Sequence, residues 1–260
     1  MEWIDINGTC LRYEVSGQGT SPLVLIHELG GSLESWDEVL PTLEADFRVL
    51  RYDQRGCGLS QKIATLSIDD VLSDLWALLD VADFGEPAAV VGTALGGGYA
   101  VAYAAHDRER VSRVVATSPA TGVTGERGNA LMARAEAVHN GGMRVAVEAS
   151  LNLSYPDSLR ENAARFARYR ARWLGNDPMS FAALNRMLAT TDMSVTFDRV
   201  KCEVLMLGAT LDPLRRPADV KKLAGMLSKS TYREVEAGHF LAVQSPQMFL
   251  DETLSFLKGA

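Results

Sequence analysis

Cysteine is scarce in this chain, and its placement excludes a disulfide-rich scaffold. The three cysteines, Cys10, Cys57 and Cys202, lie far apart and are odd in number. They form neither a C-x-x-C pair nor the dense framework of a small extracellular domain. The chain also starts Met1-Glu2-Trp3, without the basic and apolar regions of a secretory signal. We therefore expect a reducing compartment, the cytoplasm.

Long apolar runs and clustered positive charge are missing as well. The longest apolar runs, such as residues 88–91, are far shorter than the ~20 residues of a membrane span. The net charge is −7, from 26 Lys and Arg against 33 Asp and Glu, whereas a nucleic-acid surface needs clustered cations. The expected partner is therefore a small-molecule substrate, with no nucleic acid and no membrane. The oligomeric state stays open, a homo-oligomer included.

The hydrophobic pattern predicts an α/β fold within a chain whose 260 residues suit one large domain. A hairpin is predicted over residues 2–6 and 10–15, around Asn7-Gly8. Further strands are predicted at residues 22–26, 47–52, 88–92, 112–117, 203–207 and 231–236. Helices are predicted at residues 35–45 (kinked or split by Pro41), 68–81, 94–105, 216–227 and 246–257. Strands that alternate with helices indicate βαβ units and a mostly parallel sheet.

The strand pattern is interrupted between residues 120 and 198. Helical patterns replace it at residues 126–140, 144–152, 157–174 and 178–190. We predict that residues 1–119 and 199–260 form the core, and that residues 120–198, named here the cap segment, form an inserted helical cap. The cap would cover the carboxyl ends of the strands, where parallel sheets bind their ligands.

The segment Gly92-Thr93-Ala94-Leu95-Gly96-Gly97-Gly98 links a predicted strand to a predicted helix. Small residues two before and two after the apex are typical of a nucleophile elbow, in which the apex residue is strained and exposed to substrate. A phosphate-binding loop is excluded because the Gly-Lys-Ser/Thr ending and the G-x-G-x-x-G register are absent. The apex of this elbow, however, is Ala94, which has no nucleophilic atom.

An acid and a histidine follow the next two predicted strands of the core. Asp212 comes just after residues 203–207, and His239 just after residues 231–236. The chain order of nucleophile, acid and histidine is that of the α/β-hydrolases. Asp212 would orient His239 and stabilise its cation, and His239 would carry the proton.

The loop after the strand at residues 22–26 has the sequence His27-Glu28-Leu29-Gly30-Gly31; residues 27–31 are named here the oxyanion loop. In this fold one oxyanion-hole amide comes from this loop and the other from the residue after the nucleophile. We assign these two amides to Leu29 and Leu95.

The chain resembles α/β-hydrolases of the 3-oxoadipate enol-lactonase and carbon–carbon bond hydrolase branch. The matching segments cover nearly the whole chain: the oxyanion loop, Trp36, residues 53–60, residues 92–98, residues 176–183, Asp212 and Gly238-His239. The resemblance implies the α/β-hydrolase fold and a serine-type hydrolase. It also implies a small ester, lactone, amide or vinylogous diketone as substrate, with no metal or organic cofactor.

The alanine at the nucleophile position has two competing explanations. In the first, serine is the natural residue and Ala94 is a disabling substitution, of the kind made to hold an intact substrate. In the second, the protein is a natural ligand-binding pseudo-hydrolase. The first is favoured because Asp212, His239, the elbow glycines and the oxyanion loop all serve a serine. Neither Thr93 nor Cys57 is expected to substitute as the nucleophile.

Three side chains are candidates for substrate binding. Arg165 and Arg168 share a face of a predicted helix with Arg172, and an arginine there could grip a substrate carboxylate bidentately. The alternative is a solvated helix face. Glu28 stands where relatives usually have glycine. It could repel an anionic intermediate, orient a substrate donor or point outwards, and the last is slightly favoured.

Overall fold

The predicted strands form one eight-stranded sheet in the computed structural model, which describes residues 1–259. The strands are β1 (Glu2–Ile6), β2 (Thr9–Ser16), β3 (Ser21–Ile26), β4 (Phe47–Tyr52), β5 (Ala88–Thr93), β6 (Val111–Thr117), β7 (Glu203–Ala209) and β8 (Ser230–Val235). Their order across the sheet is β1-β2-β4-β3-β5-β6-β7-β8. The β1–β2 and β2–β4 pairs are antiparallel and the other pairs are parallel. The predicted fold class is therefore confirmed.

Helices connect the strands and cover the sheet. They are α1 (Leu40–Leu43), α2 (Ile68–Val81), α3 (Leu95–His106), α4 (Gly125–Gly141), α5 (Val147–Ser154), α6 (Ala163–Leu174), α7 (Pro178–Thr190), α8 (Pro217–Ala224), α9 (Leu241–Gln244) and α10 (Pro246–Lys258). Short 3₁₀ turns occupy Leu33–Trp36, Met143–Val145, Asp157–Leu159 and Met193–Arg199. Within residues 1–259, no helix is both long enough and apolar enough to cross a membrane.

Local chemistry explains where two of these helices begin. The Ser67 hydroxyl accepts from the Asp70 amide at 3.1 Å, and the Asp70 carboxylate accepts from the Ser67 amide at 2.9 Å. This reciprocal capping box starts α2 at the predicted residue. The predicted helix over residues 35–45 is wrong in extent. It is divided into a 3₁₀ turn and α1, and Pro41 lies in the first turn of α1, where a missing N–H costs nothing.

The apolar core lies on both faces of the sheet. Val24 and Ile26 of β3 belong to the cluster that packs under α2 and α3. Leu23 and Leu25 belong to the opposite cluster, together with Trp36 and residues of α10. This division follows from the period of two along a strand, which sends successive side chains to opposite faces. Burial on both faces explains why β3 is continuously apolar.

Helices α4 to α7 lie between β6 and β7 along the chain, where strand patterns are missing from the sequence. A third apolar cluster joins these helices to the loops of the sheet. It includes Tyr169 and Trp173 of α6 with Ala94 and Phe240 from outside the cap segment. The cap segment therefore packs directly over the end of β5.

Candidate active site

The elbow predicted from the sequence is a strained turn at Ala94. This residue lies between β5 and α3 with φ 52° and ψ −114°, a conformation that residues with a Cβ rarely adopt and that typically costs about 1–3 kcal/mol. Hydrogen bonds hold both its backbone amide and its backbone carbonyl in place. The Ala94 amide donates to the Thr117 carbonyl at 2.9 Å, and the Ala94 carbonyl accepts from Ala120 at 2.8 Å.

Glycine is required beside the apex because neighbouring backbone leaves no room for a side chain. A Cβ at Gly92 would lie 2.1 Å from the Gly96 carbonyl oxygen, and a Cβ at Gly96 would lie 2.2 Å from the Ile26 carbonyl oxygen. Both distances are far below van der Waals contact. The two glycines therefore allow β5, α3 and β3 to approach closely enough to form the turn.

Asp212 and His239 meet at the carboxyl ends of β7 and β8. The Nδ1 atom of His239 lies 2.7 Å from Oδ2 of Asp212, and both side chains are buried. The hydrogen bond at Nδ1 leaves Nε2 as the imidazole nitrogen available to a reacting group. The two residues that the sequence predicts as acid and base are therefore brought together.

The surroundings of Asp212 favour its charged form. Its Oδ1 atom accepts from the amides of Leu214 at 2.8 Å and Arg215 at 3.0 Å. Desolvation raises the pKa of this carboxyl, but the charge and hydrogen bond of His239, the Arg215 amide and the Ser118 hydroxyl together hold the pKa below its ordinary value. Asp212 can therefore stabilise a histidine cation at neutral pH.

The two predicted oxyanion residues face the same cavity as His239 of the Asp212–His239 pair, which is called the dyad below. Leu29, Ala94, Leu95 and His239 all line a cavity of about 580 Å³ beneath the cap segment. No protein group within residues 1–259 accepts a hydrogen bond from the amide of Leu29 or of Leu95. Leu95 is also the first residue of α3, where the helix dipole favours negative charge. An anionic oxygen could be bound here.

Hydrogen bonds to neighbouring elements fix the shape of the oxyanion loop. His27 donates from Nδ1 to the Glu28 carbonyl at 2.7 Å and accepts at Nε2 from the Gln54 amide at 3.1 Å. From the cap segment, the Asn176 side-chain amide donates to the Gly30 carbonyl at 2.9 Å. His27 thus has a structural role, and the loop is supported from both the core and the cap segment.

Neither substitute nucleophile is placed for chemistry. The Thr93 hydroxyl accepts from the Thr117 hydroxyl at 3.0 Å and does not line the cavity. Cys57 is also absent from the cavity wall, and burial raises the pKa of its thiol well above the ordinary value. A thiol of that kind is not a nucleophile at neutral pH.

The expectation that Glu28 points outwards is wrong. Its side chain is 1% exposed and its Oε1 atom accepts from the Ser35 hydroxyl at 2.8 Å. The carboxylate fills the space that a Cβ at Gly31 would need, 2.4 Å from Oε1. Glu28 does not line the cavity, so its position offers no contact with a substrate there.

The carboxylate-binding role considered for Arg165 and Arg168 is also not supported by their positions. Arg165 donates from Nε to Glu38 at 2.8 Å and from Nη1 to the Gln244 carbonyl at 3.3 Å. Arg168 reaches the same Glu38 carboxylate at 3.3 Å. Neither lines the cavity of the dyad. Their charge is already paired by an acid of the core, so they connect the cap segment to the core.

Sequence reasoning missed the basic residues that do line the cavity. Arg127 and Arg134 reach it from α4, and Arg215 reaches it from the loop after β7. It also missed Ser118, whose hydroxyl contributes to the lowered pKa of Asp212. Ser118 follows β6 with φ 45°. The position of Ser118 directly after a strand was a signal that could have identified it. To identify Arg127 and Arg134, one must know which face of α4 points to the cavity, and the weakly amphipathic sequence of this helix does not show that.

The residues that the structure describes contain no group of three or more His, Cys, Asp and Glu side chains arranged to hold a metal ion. The polar side chains that line the cavity are those of a histidine, three arginines and two serines, Ser150 and Ser154. These groups suit proton transfer and the binding of negative charge.

Comparison with known proteins agrees with this geometry. A model of the alpha/beta hydrolase fold family matches residues 21–246. The 3-oxoadipate enol-lactonase 2 of Acinetobacter baylyi is 27% identical, over 92% of this chain and 90% of the relative. RutD of Caulobacter segnis, which carries the name of a carbamate hydrolase, is 27% identical over 98% of both chains. The enol-lactonase structure from Burkholderia xenovorans LB400 superimposes with a TM-score of 0.93, at 26% identity, over 99% of this chain and 100% of that chain. These similarities confirm the resemblance predicted from the sequence.

Proposed function

This chain belongs to the α/β-hydrolase fold family, and on that premise we propose that its site is that of a serine-type hydrolase which lacks its nucleophile at Ala94. The substrate class is a small ester, lactone, amide or vinylogous diketone. The similarity to enol-lactonases and to a protein named as a carbamate hydrolase supports this class. We assign the activity to the cytoplasm, because Cys10, Cys57 and Cys202 are unpaired.

The observation that carries the proposal is the strained backbone of Ala94 beside a buried Asp212–His239 pair. A φ of 52° serves to present a side chain to the base, and an alanine gains nothing from it. Burial of an acid and a histidine likewise costs free energy, which a catalytic role would explain. Both features suit a serine at this position.

With serine at position 94, the reaction would follow the usual acyl-transfer route. The serine oxygen would attack the substrate carbonyl while His239 takes its proton at Nε2, and Asp212 would stabilise the resulting cation. The amides of Leu29 and Leu95 would bind the oxyanion of the tetrahedral intermediate. His239 would then return the proton to the leaving group and activate the water that hydrolyses the acyl-enzyme. A carbon–carbon bond hydrolase would use the same residues with a different order of proton transfers.

A second candidate function is a ligand-binding pseudo-hydrolase, and Ala94 itself is the observation that favours it. Ala94 belongs to one apolar cluster with Tyr169, Trp173 and Phe240, and it contributes apolar surface but no hydroxyl to the cavity wall. Loss of the serine from such a triad costs about 10⁶ in turnover. The chain with Ala94 would therefore hold its ligand intact.

The test compares Ala94→Ser with the parent chain on a panel of activated esters, lactones, amides and vinylogous diketones. We expect a gain of several orders of magnitude in kcat for at least one class, up to about 10⁶. Two matched controls are Thr93→Ser, which keeps a hydroxyl next to the apex, and Ala94→Gly, which relaxes the backbone without adding a nucleophile. Both should stay inactive. No gain with Ala94→Ser, combined with tight binding of a small ligand by both chains, would favour the pseudo-hydrolase.

A further inference from the structure

The charged residues that line the cavity carry one sign only. They are Arg127, Arg134 and Arg215, and no Asp or Glu is among the lining residues. The chain as a whole has a net charge of −7, so this local excess of cations is opposite to the overall balance. Such a wall favours an anionic ligand wherever no carboxylate of the protein offsets the positive charge; Arg127 is offset in part by Asp219 and Arg215 by Asp212.

Arg134 has the least compensated charge of the three arginines. Its Nε atom donates to Oδ1 of Asn185 at 2.9 Å, and its Nη2 atom donates to the same oxygen. Its guanidinium carbon lies 5.5 Å from the centre of the Phe181 ring. Within residues 1–259 it pairs with no carboxylate. An amide oxygen and an aromatic face are neutral partners, so they hold the guanidinium without cancelling its charge.

Asn185 is itself fixed in one orientation. It is fully buried, and its Nδ2 atom donates to the Phe181 carbonyl at 2.6 Å. Because the amide nitrogen is used in this way, the amide oxygen must face Arg134. The sequence places all three residues on two packed helices: Arg134 on α4, and Phe181 and Asn185 one turn apart on α7.

This arrangement leaves one edge of the guanidinium free for a ligand. Asn185 occupies the side edge formed by Nε and Nη2, which leaves the end formed by Nη1 and the second Nη2 proton. A carboxylate can accept both of these N–H groups in parallel. Burial lowers the pKa of the Arg134 guanidinium to about 10, so the group is still charged at neutral pH.

The other two arginines have different surroundings. Arg127 is exposed and its Nη1 atom lies 3.8 Å from the Asp219 carboxylate. Arg215 donates to its own neighbour, the Leu214 carbonyl, at 3.2 Å. Arg127 and Arg134 are seven residues apart on α4, which places them on the same face and about 10 Å from each other. Arg127 is therefore a matched control for Arg134.

We propose that Arg134, held from the side by Asn185 and covered by Phe181, selects substrates that carry a carboxylate and binds that carboxylate end-on. The inference rests on the proposed function, because it assigns the substrate class of the same site. Arg134 replaces Arg165 and Arg168 as the specificity-determining arginine. The carboxylate is bound at the cap segment while the scissile carbonyl lies at the Ala94 position.

The test uses the chain with Ala94, which should leave esters intact. Binding of the monomethyl and dimethyl esters of malonate, succinate, glutarate and adipate is measured by calorimetry at pH 7. The monoester carries one carboxylate and the diester carries none. For at least one length, we expect the monoester to bind about 10- to 100-fold more tightly than its diester, as charge-assisted hydrogen bonds provide. Arg134→Gln should reduce this ratio to near one, and Arg134→Lys should restore only part of it.

Two comparisons keep the result interpretable. Arg127→Gln should leave the ratio within about twofold of the parent, since its charge is shared with Asp219 and exposed to solvent. Unchanged diester binding by Arg134→Gln would show that the variant is folded. The proposal is wrong if no monoester binds the parent more tightly than its diester, or if Arg127→Gln lowers the ratio as much as Arg134→Gln does.

The outcome is separable from that of the proposed function. Serine-dependent turnover of neutral esters, with no preference for acids, would overturn only the role of Arg134. Arg134-dependent binding of monoesters, with no turnover after Ala94→Ser, would overturn only the hydrolase proposal.

Discussion

The side-chain amide of Asn176 donates to the carbonyl of Gly30 at 2.9 Å, which links the cap segment to the oxyanion loop. Gly30 has φ +84°, and a Cβ there would lie 2.9 Å from the Trp173 ring. The backbone that presents the Leu29 amide is thus supported by α6 and the turn that follows it. The position of the oxyanion loop therefore depends on its contacts with the cap segment.

Removal of this link should lower turnover more than substrate affinity. In an Ala94→Ser background, Asn176→Ala leaves the Gly30 carbonyl without its partner, and the Leu29 amide loses alignment with the oxyanion. We expect kcat to fall about tenfold, as weakening of one oxyanion donor allows, with KM changed less than threefold. Steady-state kinetics on the best ester checks this. Asn140→Ala, at an exposed position of α4, is the control, and equal kcat values for the two variants would contradict the prediction.

The elbow glycines should be far less tolerant than glycines elsewhere. Gly96→Ala places a Cβ 2.2 Å from the Ile26 carbonyl oxygen, whereas Gly85→Ala meets no atom within 4 Å. We expect Gly96→Ala to destabilise the protein by about 3 kcal/mol or more, because the backbone must move to accept the new Cβ. Gly85→Ala should be neutral or stabilise by up to about 1 kcal/mol. Urea unfolding of both variants gives the comparison. Similar midpoints would mean that β3 and α3 can separate without cost.

Local patterns in the sequence predict the strands and helices, and they also predict the chain order of the elbow, the acid and the histidine. The helix over residues 68–81 is predicted to the residue from its apolar period, and in the structure a capping box at Ser67 fixes its start. Asp212 and His239 could be located since each directly follows a strand, and parallel strands bring their carboxyl ends together. Signals of this kind are local, so one sequence suffices to find them.

The direction of single side chains depends on contacts that no local pattern encodes. Glu28 is buried because the glycine at position 31 leaves space for its carboxylate beside Ser35. Arg134 faces the cavity while Arg165 pairs with Glu38, although both lie on helices of the cap segment. Which arginine meets a core acid is decided by the packing of α4 and α6, and this is tertiary information.

The Arg165–Glu38 pair should contribute to stability and leave substrate choice unchanged. Both groups are partly exposed, so we expect Arg165→Ala to cost about 0.5–1 kcal/mol in the free energy of unfolding. Arg168→Ala should cost less, because its side chain is 61% exposed. In the Ala94→Ser background, KM for acidic substrates should be unaffected by either change. An increase in KM for acidic but not for neutral substrates would contradict this prediction and place the carboxylate-binding site on α6.

The Asp212–His239 pair should make the free energy of unfolding fall at acidic pH. The pKa of the Asp212 carboxyl is lower in the folded protein than its ordinary value of about 3.9. Its charged form thus stabilises the fold above that value, and this contribution is lost as the pH falls through the lower, folded-state pKa. Asp212→Asn removes the contribution. The difference in unfolding free energy between parent and variant should therefore be fully present above about pH 5 and shrink steadily below about pH 4. Urea unfolding across this range measures it, with Asp69→Asn, an exposed acid of α2, as the control for loss of one carboxylate. A difference for Asp212→Asn that stays constant down to the onset of acid unfolding would mean that the folded protein does not favour the charged carboxylate.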